Sequence, residues 1–137
     1  MHLEQSPKKY HANPSIVYSC QYHGIFCPKY RRTVLHSPLD LRLKALILAQ
    51  QEAYGYRVLG VEVMPDHVHS LLDVNPQIGI MKIVGHIKGS TAHTLREEFP
   101  WLKKRLPSVW TRSKFISSVG AVTLEVVQRS IESQKGV

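Results

Sequence analysis

Cysteine is scarce, with two in 137 residues, so a disulfide-stapled scaffold is excluded. Cys20 and Cys27 stand seven residues apart in what reads as one strand. That separation is roughly 23 Å of extended chain with the two side chains on opposite faces, beyond disulfide reach. No apolar stretch approaches the ~18 residues that a membrane-spanning helix needs, so no membrane span is expected. The opening MHLEQSPKKYHANP has no apolar core of a secretory signal. A reducing, cytoplasmic location is therefore expected. No internal repeat and no low-complexity tract is present. With 43% hydrophobic and 20% charged residues the balance is that of one globular domain, which argues against disorder.

Acidic residues are also in short supply. Ten Asp and Glu face eighteen Lys and Arg, a formal charge of +8 and a pI near 9.7. Such an excess on a small chain points to a polyanionic partner. No basic amphipathic helix stands out to favour a membrane surface. The cations cluster as Lys29, Arg31 and Arg32, and again as Lys103, Lys104, Arg105, Arg112 and Lys114. Tyr30, Trp101 and Trp110 interleave with them, and exposed rings can stack on nucleic-acid bases. A solvated surface is the plain alternative for such runs.

Residues 1–13 read as a polar arm, and 14–137 as a single domain. Residues 16–27, rich in β-branched and aromatic side chains, predict a long strand that Pro28 ends. Ser37-Pro38-Leu39-Asp40 predicts a helix start with Ser37 as cap and Pro38 as first helical residue. That helix runs to about Tyr54, with Gly55 as its stop. Residues 56–64 alternate as a strand, and 67–74 form the next, joined as a hairpin. A second helix is predicted over 78–98 and stopped by Pro100, followed by a basic linker, 101–114. Phe115–Val119 predicts a short strand, and Thr123 caps a last helix over 124–134. The order β-α-β-β-α-β with one more helix predicts an α+β, ferredoxin-like antiparallel sheet with helices on one face and an added C-terminal helix.

The sharpest feature is His67-Val68-His69 within MPDHVHSLL. In a strand, residues two apart share a face with Cα atoms about 6.5–7 Å apart, so both imidazoles can serve one divalent cation. The plain alternative is two exposed polar positions on a half-buried strand. A third ligand is open on local grounds among Asp66, Glu62, Glu132 and Gln134. Read locally, Gln134 is a solvated residue at a helix end. Two imidazoles and one oxygen donor would leave coordination positions open for a phosphate oxygen.

MPDHVHSLL resembles the HUH motif (His, hydrophobic, His) of TnpA-type single-tyrosine transposases, which move small hairpin-ended insertion sequences and have the repeat-associated tyrosine transposases as relatives. The likeness extends along most of the chain. Tyr22-His23 with Lys29-Tyr30-Arg31-Arg32 is similar to the family's first strand and basic turn. Glu62 to His69 is similar to its hairpin, and Ile87-Lys88-Gly89-Ser90 to its second helix. Trp110-Thr111-Arg112-Ser113 with Ser118-Val119-Gly120 resembles the approach to its last strand. Ile131-Glu132-Ser133-Gln134 resembles its final helix. The resemblance implies a ferredoxin-like fold and Mg²⁺ or Mn²⁺ held by His67, His69 and Gln134. It implies a substrate of single-stranded DNA folded into hairpins, and a homodimer in which the final helix of one subunit completes the site of the other. It also implies a tyrosine one helical turn before Gln134, which would attack phosphorus to form a 5′-phosphotyrosine link and free a 3′-OH.

At that position stands Ser130, and all six tyrosines lie at or before Tyr56. Residues four apart share a helix face, so Ser130 takes the tyrosine's direction. An alkyl alcohol is far less acidic than a phenol of pKa about 10 and needs a base to activate it. Cleavage by this chain is thus expected to be impaired. Deliberate replacement, decay into a binding protein and a working serine variant remain as accounts of Ser130. Lys114 also departs from the family, where many members carry an aromatic residue. Lys29, Arg31, Arg32, Lys88, Lys103, Lys104, Arg105 and Arg112 are the candidate phosphate contacts. A non-catalytic hairpin-binding regulator on the same fold is the alternative function.

Overall fold

The structure, a computed structural model, describes residues 11–12, 17–18, 20–119, 131–132 and 134. Strands β1 (His11–Ala12) and β2 (Val17–Tyr18) pair with each other in a separate two-stranded ladder. The main sheet takes its first strand from β3 (Gln21–Phe26). The single strand expected over 16–27 is thus two, because its N-terminal part pairs with 11–12 and its C-terminal part with the main sheet. Helix α1 (Leu39–Ala49) and the one-turn α2 (Gln51–Tyr54) follow. The hairpin β4 (Tyr56–Met64) and β5 (His67–Val74) comes next, then α3 (Ile80–Glu98), α4 (Pro100–Arg105) and β6 (Phe115–Ser118).

The main sheet is antiparallel in the order β4-β5-β3-β6. Each helical connection skips one strand, which is the split β-α-β arrangement of the ferredoxin-like plait. Leu39, Leu43 and Ile47 of α1 and Ile83, Ile87 and Leu95 of α3 are buried. Their spacing gives each helix one apolar stripe. Both stripes pack with Phe26, Val68, Leu72 and Val74 into one core on one face of the sheet.

Local chemistry sets the boundaries. Gly55 closes α2 in the left-handed conformation (φ 78°), its N–H donating to the Gln51 carbonyl. A side chain there would be strained in this backbone conformation and would meet Ile78 Cδ1, so glycine is favoured. The start of α1 differs from expectation. Pro38 is the cap and no side chain caps the helix. The His36 carbonyl accepts from the Leu39 N–H at 2.9 Å, so the first turn closes on backbone and Ser37 is not needed.

The basic segment after Pro100 is not a plain linker either. Pro100 starts α4 instead of only ending α3, because a proline at the first helical position forfeits no bond. Leu102, Leu106, Val109 and Trp110 then enter the core. Cys20 and Cys27 are free thiols. The expected Thr123 cap and most of the 124–134 helix lie outside the described residues, of which Ile131 and Glu132 are helical. Among the described residues no helix is long and apolar enough to cross a membrane.

Candidate functional site

The two faces of β5 are both closed to solvent. Val68, Leu72 and Val74 point to the helices, and His69, Leu71 and Asp73 point the other way; all six are buried. His69 is only 2% exposed, so the reading of two exposed polar positions on a half-buried strand does not hold.

The strand register decides what meets His69. Glu62 of β4 and Ile25 of β3 stand opposite it. Glu62 reaches this face through an irregularity between Val58 and Gly60, where Leu59 is the extra residue. The bulge shifts the alternation from Tyr56 and Val58 towards the core to Val61 and Val63 towards the core. Unbroken alternation would aim Glu62 at the helices. His23, diagonal to His69, brings its Nδ1 to 3.1 Å from His69 Nε2. Local reading of the motif did not find His23 as a neighbour of His69. The signal that could find it is the antiparallel pairing of the two strands, which no short motif encodes.

The environment keeps His69 uncharged. Burial, with His23 and His67 nearby, pushes it down to about 4, and burial also lowers His23. The tautomer of His69 that donates from Nε2 to His23 leaves its Nδ1 as a bare lone pair. That atom is buried and has no hydrogen-bond partner among the described residues. His67 is held differently. Its Nδ1 donates to Asp66 Oδ1 at 2.8 Å, which leaves Nε2 as the free lone pair. A carboxylate behind an imidazole is the arrangement that orients histidine ligands and raises their basicity.

Asp66 itself is occupied. Its second oxygen accepts from Arg31 Nε at 2.8 Å. Of the four third-ligand candidates, Asp66 is therefore an orienting group, and Glu132 is an exposed residue paired to Arg31 at 3.2 Å. Glu62 stands at His69 in the register. Gln134 is 3% exposed, and neither its amide oxygen nor its nitrogen has a partner among the described residues. It is not the solvated residue of the local reading. An unpartnered buried amide costs about 1–3 kcal/mol, so it needs an explanation.

An imidazole that burial keeps uncharged, a second imidazole oriented by Asp66 and a buried neutral oxygen donor fit a divalent cation by donor chemistry. Among the described residues no cluster of three His, Cys, Asp or Glu side chains stands ready to hold a metal. Ser130, at the expected nucleophile position, lies outside the described residues.

The basic residues divide. Lys29 N–H donates to the Val109 carbonyl and Pro28 bridges to Trp110, so the start of the first cluster lies beside the end of the second. Arg32, Lys103, Lys104, Arg105 and Arg112 are exposed. Lys103 lines a groove of about 430 Å³ with His93, Arg96 and Glu97. Lys88 is half-buried, its Nζ donating to the Thr111 carbonyl at 2.6 Å. Burial, then Lys114, pushes it down to about 8. Arg31 turns inward and is engaged by carboxylates.

Of the three rings expected to interleave with the charge, Tyr30 is 46% and Trp101 37% exposed, while Trp110 is buried. Trp110 packs edge-on to Phe26 at 4.9 Å and donates to Thr91 Oγ1 at 3.1 Å, so it is a core residue and presents no face to a base.

Comparison with known proteins agrees with this architecture. The family model described as "Transposase IS200 like" matches residues 16–134. The ISDra2 transposase TnpA of Deinococcus radiodurans is 38% identical over 120 residues, 86% of either chain. A solved structure described as a candidate transposase of Deinococcus radiodurans R1 superposes with a TM-score of 0.85 at 32% identity, covering 93% of this chain and 99% of that one. A REP-associated tyrosine transposase bound to a REP hairpin shares the fold at a TM-score of 0.55 and 11% identity, covering 93% and 68%. The motif, the plait that buries it and a family match spanning nearly the whole described chain lead to one conclusion: this protein belongs to the IS200-like transposase family.

Proposed function

We propose that residues 14–137 form one transposase domain that acts on single-stranded DNA folded into hairpins and is impaired in strand cleavage by serine at position 130. The observation that carries the reading is the pair His67 and His69 on one face of β5, together with the buried and unpartnered Gln134, whose donor atoms fit a divalent cation in a chain of this family. Those three residues would hold Mg²⁺ or Mn²⁺, which when bound supplies Lewis-acid polarisation of a phosphate oxygen.

The chain's own residues do the rest. Asp66 keeps the proton of His67 on Nδ1. Burial holds His69 neutral. In the family's reaction a tyrosine oxygen attacks phosphorus, the bond to the 3′ oxygen breaks, and a 5′-phosphotyrosine and a 3′-OH result. Ser130 offers a shorter and much less acidic hydroxyl at that position. The half-buried Lys29 and the exposed cations Arg32, Lys103, Lys104, Arg105 and Arg112 would contact the DNA backbone, which makes binding steeply salt-dependent. The working unit is a homodimer with shared sites, carried over from the resemblance.

Labelled single-stranded hairpin DNA with Mg²⁺ or Mn²⁺ tests the reading. Ser130→Tyr is expected to cleave at least about 100-fold faster than the chain as it stands and to become covalently attached to a 5′ end. Equal cleavage by both forms would remove Ser130 from the nucleophile position. The serine itself favours a second reading, a hairpin-binding regulator that needs no metal. Hairpin binding without cleavage by either form, unaffected by a chelator, would establish that alternative.

A further inference from the structure

Arg31 sits among the expected DNA contacts, yet its side chain is only 14% exposed and is turned into the molecule. Its Nε donates to Asp66 Oδ2 at 2.8 Å. Its Nη1 lies 3.2 Å from Glu132 Oε1 and 3.3 Å from the Ile131 carbonyl oxygen, one hundred residues away in sequence. We propose that Arg31 is a positioning residue, a clasp that docks the segment carrying Gln134 onto the Asp66–His67 turn.

Three observations support the clasp. The guanidinium is a rigid planar fork whose Nε and Nη1 edges can serve two partners at once, which a lysine cannot imitate. Asp66 is shared, so the carboxylate that anchors Arg31 also accepts the His67 Nδ1 proton at 2.8 Å. The backbone is set for this role. Tyr30 (φ 59°) and Arg31 (φ 51°) are consecutive non-glycine residues in the left-handed region, a disfavoured conformation that persists where the surroundings impose it. The turn sends Tyr30 outward, with Lys29 Nζ 5.1 Å from its ring centre, and Arg31 inward. The result is a continuous path from His67 through Asp66 and Arg31 to the residues next to Gln134.

The docking stands on these contacts alone. Its consequence for metal affinity rests on the reading that His67 and Gln134 hold the cation. The test uses the full chain. Hydrogen exchange of the metal-free protein, followed by mass spectrometry, reads the peptide containing Ile131 to Gln134, and electron paramagnetic resonance reads Mn²⁺ affinity. Arg31→Met is expected to speed exchange in that peptide about tenfold or more while leaving β5 protected. Mn²⁺ affinity is expected to fall roughly 10–100-fold, as for other residues that orient metal ligands. Arg31→Lys should restore only part of both.

Glu132→Gln removes the exposed arm of the clasp without touching the core, and should speed exchange less. It decides the matter if Arg31→Met loses protection everywhere. Unchanged exchange in the C-terminal peptide of every folded variant would overturn the clasp. Faster exchange with undiminished Mn²⁺ affinity would overturn the positioning role. Faster exchange in a protein that binds no Mn²⁺ even unmutated would uphold the clasp and sink the metal reading.

Discussion

The two faces of β5 differ in the kind of group they bury. Towards α1 and α3, Val68, Leu72 and Val74 join an apolar core whose groups ask for nothing but contact. Away from them, the same strand carries His67, His69 and Asp73, with Glu62 and His23 beside it, several of them buried. Burial on the first face is favourable in itself, at about 25 cal/mol per Å² of apolar surface. On the second face it carries a cost, because one nitrogen of His69 is buried with no partner among the described residues, as is the amide of Gln134 elsewhere in the chain. One strand thus holds the fold on one side and buried, incompletely satisfied polar groups on the other. Alternation with a period of two lets the two roles coexist without either disturbing the other.

Substitutions should separate the faces. The largest effect belongs to Leu72→Ala, which opens a hole beneath both helices. It should lower the unfolding free energy by about 2–5 kcal/mol in chemical denaturation. A loss below about 1 kcal/mol would mean that the helix face is not the main source of stability. For a buried, unpartnered polar group the sign reverses. Gln134→Leu replaces an unpartnered buried amide and should leave the metal-free protein as stable or more stable, by up to about 1–3 kcal/mol. It should also abolish tight Mn²⁺ binding. A marked destabilisation would show that the amide has a structural partner, and the contrast between the faces would weaken.

The smallest effect concerns Lys88, at the edge of the helix face. Its pKa is lowered to about 8 in the fold from an ordinary value of 10.5. Between those two pH values the unfolded chain binds more protons than the folded one, so stability contributed by this group rises with pH across that window. Exposure to solvent reduces the effect below that of one full proton. Denaturation curves at pH 8 and pH 10 should show that rise for the parent chain and a smaller one for Lys88→Met. Parallel behaviour of the two would mean that Lys88 is in contact with water in the folded state.

Much of this fold is legible in the residues. The 56–64 and 67–74 strands, their hairpin and the glycine stop at Gly55 follow from short-range pattern and turn chemistry, and the structure has them at those bounds. The cap at Ser37 and the linker after Pro100 were not legible, because backbone carbonyls and a proline-led turn meet the same need by another route. The bulge at Leu59 left a trace. Apolar positions change from even at Tyr56 and Val58 to odd at Val61 and Val63, and only such an insertion reconciles them with one buried face. Trp110 left none, since a tryptophan in a basic run reads as a stacking ring until Thr91 and Phe26 are seen around it.

Within the site, the residues themselves determined that His67 and His69 share a face and that the chain carries a large positive excess. These are consequences of period, order and composition, which act over a few residues or over the whole chain at once. Tertiary structure alone decided that this face is buried, that His23 meets His69, and that Arg31 turns from the surface to join Asp66 and Glu132. Each of those depends on which distant segments pack together and in what register. The contacts join residues tens to a hundred positions apart, and no local preference fixes how such segments meet.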